Sequence, residues 1–156
     1  MIDLSNLRLQ ASLELLITLS FGLVILIPII GFALVQVANA NYNLEALEAQ
    51  QAAQAIANTA TLVYQEGYPA KSVVEIYVPP GVENIYVGST NGNYGHFIIF
   101  QLYSILGPDY VSAYTTANIT GYLGNIVQQG SYLVSIEANS SCSFTQNKLC
   151  VVISSS

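Results

Sequence analysis

The chain has 156 residues, of which only 8% are charged, and its formal net charge is -6. This length allows one compact domain together with an extended element. The three basic side chains are Arg8, Lys71 and Lys148, which are too few and too scattered to form the basic patch that nucleic-acid binding requires. Because 53% of the residues are hydrophobic, we expect contact with a membrane or with other copies of the chain.

An uncharged apolar segment covers residues 15–35 and reads LLITLSFGLVILIPIIGFALV. It is long enough to cross a bilayer as one helix. Pro28 removes a backbone hydrogen bond and Gly31 adds local freedom, so the sequence predicts a helix break or kink near these two residues.

Two ordinary interpretations of this segment compete. A cleaved secretory signal peptide is one, because Ala38-Asn39-Ala40 has the small-residue pattern of a cleavage site just before Asn41. The other is a single-span anchor that carries a monomeric extracellular binding domain. In that case Arg8 would remain in the cytoplasm.

A third interpretation adds the residues that precede the span. Gln10, Ser12 and Glu14 stand directly before the apolar run and place a carboxylate at its start. This pattern resembles the Q-x-S-x-E motif of archaeal type IV pilin-like proteins, which carry a class III signal peptide. In that family a prepilin peptidase removes the leader just before the Gln, and the apolar helix stays on the mature protein.

The resemblance implies a complete division of the chain. Residues 1–9 are the leader, cut between Leu9 and Gln10, and residues 10–38 are the helix that lies in the membrane before assembly and in the filament core afterwards. Glu14 becomes the fifth mature residue, where it can pair with the new N-terminal ammonium group of the next subunit. The implied function is a subunit, major or minor, of a homopolymeric surface filament used for adhesion or surface attachment.

Residues 39–67 continue as an amphipathic helix rich in Ala, Gln, Leu and Glu. Gly67 is the predicted C-cap, and Pro69 follows just beyond it. Seven alanines allow close approach either to the chain's own domain or to other subunits: Ala46, Ala49, Ala52, Ala53, Ala55, Ala57 and Ala60. The predicted apolar stripe consists of Leu44, Leu47, Ala52, Ala55, Ile56, Ala60 and Val63.

Residues 68–156 read as an extracellular β-rich domain. Short runs of Val, Ile, Tyr and Phe alternate with turn residues, which predicts an antiparallel sheet or a small sandwich covered by the helix, an α+β fold. Residues 71–87 also resemble the stretch that follows the helix in archaeal class III pilin-like proteins. The predicted strands cover residues 72–78, 84–87, 96–103, 110–114, 120–127, 131–137 and 149–153.

Two cysteines and two sequons suggest covalent chemistry outside the cell. Cys142 and Cys150 are close in sequence, which favours a local disulfide. A structural zinc site needs four ligands, and the sequence offers only these two cysteines and one histidine, His96. Asn118 and Asn139 each begin an N-glycosylation sequon.

No catalytic motif is present in the sequence: it has no P-loop, no G-x-G-x-x-G, no G-x-S-x-G and no H-E-x-x-H pattern. Its carboxylates are spread over different predicted elements. We therefore expect neither enzymatic activity nor a cofactor, a metal or a nucleic-acid partner.

Overall fold

The computed structural model describes the backbone of residues 4–91, 93–104, 107–140, 142 and 149–155, and side chains from Ser12 onward. The chain divides into two compact units, Met1–Tyr42 and Asn43–Ser156. Asn91 lies in the turn between β2 and β3, whereas Gly92 lies outside the described residues, as do residues 143–148 between the cysteines.

The helix α1 runs from Leu4 to Glu66. The helix assignment continues through Pro28, which has no N–H to donate, and through Gly31 and residues 39–41. Gly67 ends it with a positive φ of 76° while its N–H donates to the carbonyl of Val63 at 3.1 Å. The predicted glycine C-cap is therefore confirmed.

Six strands lie in the described part of residues 71–155, and all belong to one sheet of order β1-β5-β6-β4-β3-β2. Their pairings are antiparallel except for that of β4 with β6, which is parallel. The α+β prediction is confirmed, with a mixed sheet in place of the expected antiparallel sheet or sandwich. The strands are β1 (Lys71–Val78), β2 (Val82–Gly88), β3 (Gly95–Leu102), β4 (Asp109–Tyr122), β5 (Gly130–Asn139) and β6 (Cys150–Ser155).

The predicted strands 110–114 and 120–127 are in fact one strand, β4, which ends at Tyr122. The intervening polar stretch was wrongly treated as a break. Thr115 and Ala117 are buried while Thr116 between them is exposed, so the period-2 alternation of a strand continues through this stretch. Residues 123–129 form the turn to β5.

The sheet must be strongly curled at the end where residues 79–81 connect β1 to β2. These strands form opposite edges of the sheet, yet only residues 79–81 connect Val78 to Val82. Four residue steps reach at most about 14 Å, whereas five strand spacings in a flat sheet total roughly 24 Å. The carbonyl of Gly81 accepts a hydrogen bond from the Tyr103 N–H at 2.8 Å, which ties this turn to the end of β3.

The hydrophobic core lies between residues 49–63 of α1 and one face of the sheet. Small helix residues dominate its helical side, so the helix backbone comes close to the strands. A hydroxyl pair, Thr61 Oγ1 and Thr115 Oγ1 at 2.9 Å, links the layers and gives the buried Thr115 a partner. The fully buried larger side chains are Ile56, Val63, Val78, Val87, Ile98, Phe100, Leu102, Ile119, Leu123, Val134, Ile136 and Ile153.

Lys71 and Glu137 form an ion pair directly across the β1–β5 ladder. The hydrogen bond from Lys71, together with its charge, holds the pKa of the Glu137 carboxyl below its usual range. Because the folded-state pKa is depressed, the pair stabilises the fold above the unfolded-state pKa, and this contribution disappears as the pH falls through the folded-state pKa. Both side chains are about half exposed, so the contribution is small.

Replacing Lys71 by Met is expected to return the pKa of Glu137 toward its ordinary value. NMR titration of the Glu137 carboxyl carbon measures this shift, and urea unfolding at neutral and acidic pH measures its effect on stability. The substitution should destabilise the protein at neutral pH and have no effect once Glu137 is protonated. Glu75→Gln on the same strand is the control and leaves the Glu137 titration unchanged; identical titrations of wild type and Lys71→Met would contradict the expectation.

Candidate functional site

The N-terminal motif lies on helical backbone. Leu9 and Gln10 fall within α1, with side chains outside the described residues, while Ser12 and Glu14 are described and exposed. Thr18 Oγ1 donates to the carbonyl of Glu14 at 2.8 Å. Because its side chain is exposed, Glu14 presents its carboxylate at the surface, at the start of the apolar run.

The apolar segment has no covering partner within its own unit. Every described side chain from Ser12 to Asn41 is exposed, and α1 from Ser12 onward is long and apolar enough to cross a membrane. Ser20 Oγ donates to the Leu16 carbonyl at 2.8 Å, as Thr18 does to Glu14, so both hydroxyl donors are satisfied within the helix. An added Cβ at Gly22 or Gly31 would meet no atom within 4 Å.

The second unit has three exposed leucines of its own on α1. Leu44, Leu47 and Leu62 are 57%, 58% and 59% exposed. Leu44 and Leu62 are 18 residues apart, which is five helical turns, so they point in the same direction. At about 100° per residue this direction is nearly opposite to the buried Ala53 and Ala60. These residues, here called the leucine stripe, therefore face away from the sheet.

This arrangement corrects the predicted apolar stripe. Ala52, Ile56, Ala60 and Val63 are buried against the sheet as expected and Ala55 is half-buried, but Leu44 and Leu47 are not part of that surface. The predicted stripe includes the large side chains of Leu44 and Leu47, whereas the helix positions that face the sheet are mostly small. The signal that identifies them is the recurrence of Ala49, Ala53, Ile56, Ala60 and Val63 at three- and four-residue steps.

The alanines are also divided between surfaces. Ala49, Ala52, Ala53, Ala57 and Ala60 pack in the chain's own core. Ala46 and Ala55 are half-buried beside it. Close approach to the cognate sheet therefore accounts for most of the alanine content of this helix.

Two grooves flank the helix where it meets the sheet. One, of about 420 Å³, is lined by Asn43, Ala46, Leu47, Gln50 and Val111 and so adjoins the leucine stripe. The other, of about 310 Å³, lies beside the edge strand β1. Its lining residues are Glu48, Gln51, Ala52, Ala55, Glu75, Ile76 and Tyr77.

The face of the sheet turned away from α1, here called the outer face, carries exposed aromatic side chains. Phe97 and Tyr114 meet edge to face with ring centroids 5.5 Å apart. His96 lies 6.0 Å from the Tyr114 ring, and its Nδ1 is 2.8 Å from the carbonyl oxygen of Ala117. Tyr110 and Tyr122 extend this exposed surface along β4.

The cysteines and the sequons come together in three adjacent strands. Cys142 and Cys150 are joined as a disulfide with Cα atoms 6.2 Å apart, consistent with the predicted pairing. A loop of this length stabilises the fold by about 2–3 kcal/mol in the chain-entropy model. Asn118 lies within β4 and Asn139 ends β5. Ser141, the third residue of the second sequon, lies outside the described residues.

Within the described ranges, no three His, Cys, Asp or Glu side chains are grouped as a metal site would require. No protein-family model, curated protein or solved structure shows a significant match to this chain. The features with the clearest physical demand for a partner are thus the apolar helix of the first unit and, separately, the leucine stripe of the second.

Proposed function

We propose that this protein is the structural subunit of an archaeal type IV pilus-like surface filament, inserted in the membrane before assembly and polymerised through α1. The leucine stripe is the observation that carries the proposal. A membrane explains exposed apolar residues only where the surrounding side chains are apolar too. Leu44 to Leu62 spans about 27 Å of helix and is interspersed with Glu45 and Glu48.

Lipid is a poor partner for this part of the helix. Each carboxylate carried to the bilayer centre costs roughly 2.5–3.5 kcal/mol on insertion scales. A neighbouring helix instead covers the leucines, while the longer side chains of Glu45 and Glu48 can still extend to water. Other copies of the chain supply such a helix, and the groove beside Leu47 provides space for side chains of a neighbour.

The N-terminal motif supports the same proposal. Prepilin peptidase cuts between Leu9 and Gln10, and the new ammonium group of one subunit pairs with the Glu14 carboxylate of the next. Pairing removes the cost of an isolated charge in the apolar filament core and sets the axial register. Leu9 and Gln10 lie within α1. The helix around them must therefore unwind before the Leu9–Gln10 peptide bond can enter the peptidase site.

The decisive measurement is the N-terminus of the protein taken from its own cells. Intact mass and N-terminal sequencing are expected to show a start at Gln10. A start at Met1 instead supports the alternative of a monomeric anchored binding domain, for which the aromatic outer face is the binding surface. A start at Asn41 means a secreted domain and contradicts both.

Glu14→Ala is expected to lower the fraction of the protein recovered in filaments, because the subunit loses the partner of its neighbour's ammonium group. Sedimentation and electron microscopy of sheared surface material measure this fraction. Glu66→Ala, which removes an exposed carboxylate at the other end of the same helix, beyond Leu62, is the matched control. Equal assembly of the Glu14→Ala variant and the wild type contradicts the pairing role.

A further inference from the structure

Strand β1 forms one edge of the sheet, and in the described part of the chain β5 is the strand that pairs with it. The N–H of Ala138 donates to the carbonyl of Ala70 at 2.8 Å, in the same register that joins Lys71 to Glu137. Ala70 and Ala138 are therefore a hydrogen-bonded pair, and such pairs alternate with non-hydrogen-bonded ones along an antiparallel ladder. The even-numbered residues of β1 thus bond to β5, whereas residues 71, 73, 75 and 77 turn their N–H and C=O groups to the free edge.

The free edge of β1 is open to a further strand. Its register with β5 has no shift over the whole length of β1. The opposite edge, β2, has a register shift between Val82 and Asn84, and an irregularity of this kind blunts an edge. Along the β1 edge the side chains of Val73 and Tyr77 are 52% and 41% exposed. An unblunted, accessible edge is the place where another strand adds to a sheet.

The groove of about 310 Å³ lies on the inner side of the same edge. Ile76 and Tyr77 of β1 line it together with Ala52 and Ala55 of α1. Because the two helix residues are small, the groove leaves space between α1 and the edge. A strand added beside β1 can therefore place its inward side chains in this groove.

The charges along the edge favour a second copy of the chain as the added strand. Two β1 strands related by a two-fold axis pair antiparallel, with the edge-facing residues as the hydrogen-bonded pairs. With the axis at Val73, each Lys71 lies opposite Glu75 of the other copy. With the axis at residue 74, Lys71 lies opposite Tyr77 and no ion pair forms. With the axis at Glu75, two carboxylates lie opposite each other, which is unfavourable.

The first of these registers also supplies Glu75 with a charged partner. Within its own chain Glu75 lies opposite Leu133 on β5, whereas Lys71 lies opposite Glu137. In the paired edges Lys71 is placed between Glu137 of its own chain and Glu75 of the second copy. We propose that the β1 edges of two copies pair antiparallel about a two-fold axis at Val73, so that two sheets become one.

The symmetry of this contact determines which copies it joins. The two-fold axis stands perpendicular to the sheet, so it reverses the direction of residues 43–66 of α1, which lie along the sheet. All subunits of the proposed filament point the same way, and the contact therefore joins neighbouring filaments that run in opposite directions. A single contact is small, but two filaments bring many copies together, and avidity strengthens the association. The pairing itself does not depend on the proposed function, since two separate copies present the same edges.

Cysteine cross-linking of the full-length protein in detergent tests the position of the axis. In Val73→Cys the two introduced cysteines form a hydrogen-bonded pair with Cα atoms about 5.5 Å apart, within disulfide range. Copper-phenanthroline oxidation is expected to give a covalent dimer linked through residue 73. Leu133→Cys is the matched control, because Leu133 is also 52% exposed but its two copies are at least about 14 Å apart. Equal dimer yields from the two variants, or a dimer from neither, would overturn the proposal.

Charge reversal in the Val73→Cys background tests the register. Lys71→Glu places carboxylates opposite each other in a homodimer, and Glu75→Lys places ammonium groups opposite each other. Each variant alone is expected to cross-link several-fold less than Val73→Cys, whereas an equimolar mixture should recover the dimer as a heterodimer. Loss of the Lys71–Glu137 ion pair within one chain cannot be repaired by mixing, so yields that stay low in the mixture would reject this register.

Electron microscopy of surface filaments separates this inference from the proposed function. Cells that carry Glu75→Lys are expected to make as many filaments as the wild type but several-fold fewer lateral bundles. Undiminished bundles would show that the β1 edge does not join filaments. Chains that start at Met1 and still cross-link through residue 73 would reject only the filament.

Discussion

Phe100→Ala is expected to lower the free energy of unfolding of the sheet domain by about 3–5 kcal/mol. Phe100 is completely buried in β3 and lies between Ile85 of β2 and Val111 of β4 in the ladder. Its removal leaves a cavity in the middle of the core, which the surrounding strands cannot close without losing their register. Since domains of this size are stable by only about 5–15 kcal/mol, the variant should be close to unfolding.

Urea unfolding of the full-length protein in detergent, followed by the near-ultraviolet circular dichroism of its tyrosines, measures this loss. Phe97→Ala provides a control on the same strand, because Phe97 points to the outer face and is 45% exposed. Its main identified ring contact is with Tyr114, so we expect at most about 1.5 kcal/mol. Equal losses for the two variants would show that the two faces of β3 are assigned incorrectly.

Replacing Leu44, Leu47 and Leu62 together by Ser is expected to abolish filament formation while the domain remains folded. Burying an exposed leucine contributes about 1.5–3 kcal/mol, so the three together contribute roughly 5–9 kcal/mol to each helix contact. At about 1.4 kcal/mol for each tenfold change, the loss lowers association by several orders of magnitude. The leucines lie outside the buried core, so the free energy of unfolding should change far less than filament formation does.

The matched control replaces two exposed apolar residues of the outer face, Val73 and Leu133, by Ser. Each is 52% exposed, comparable to the leucine stripe. Filament yield by electron microscopy and unfolding by urea are measured for both sets. Assembly that survives in the leucine variant means that this helix face is not an interface, and assembly lost in both sets means that the effect is not specific to the stripe.

The fold class could be predicted because its signals are local. The long helix can be predicted from its apolar and alanine-rich composition. Its end can be predicted from Gly67, because glycine adopts a left-handed backbone conformation without help from a tertiary contact. Most strands coincide with runs of β-branched and aromatic residues. The polar middle of β4 was missed because its inward residues, Thr115 and Ala117, are small and weakly apolar. Only the packing of α1 against the sheet shows that small residues fit at these two positions of β4.

The sequence alone determined the apolar helix, the motif at Gln10, Ser12 and Glu14, and the α+β character, because each depends on residue type and spacing along the chain. Only the tertiary structure decided which helix residues face the sheet and which face outward. It also decided that β6 inserts between β4 and β5, parallel to β4 and antiparallel to β5. These depend on contacts between residues that are distant in sequence, and such pairings leave no periodic signal in the chain.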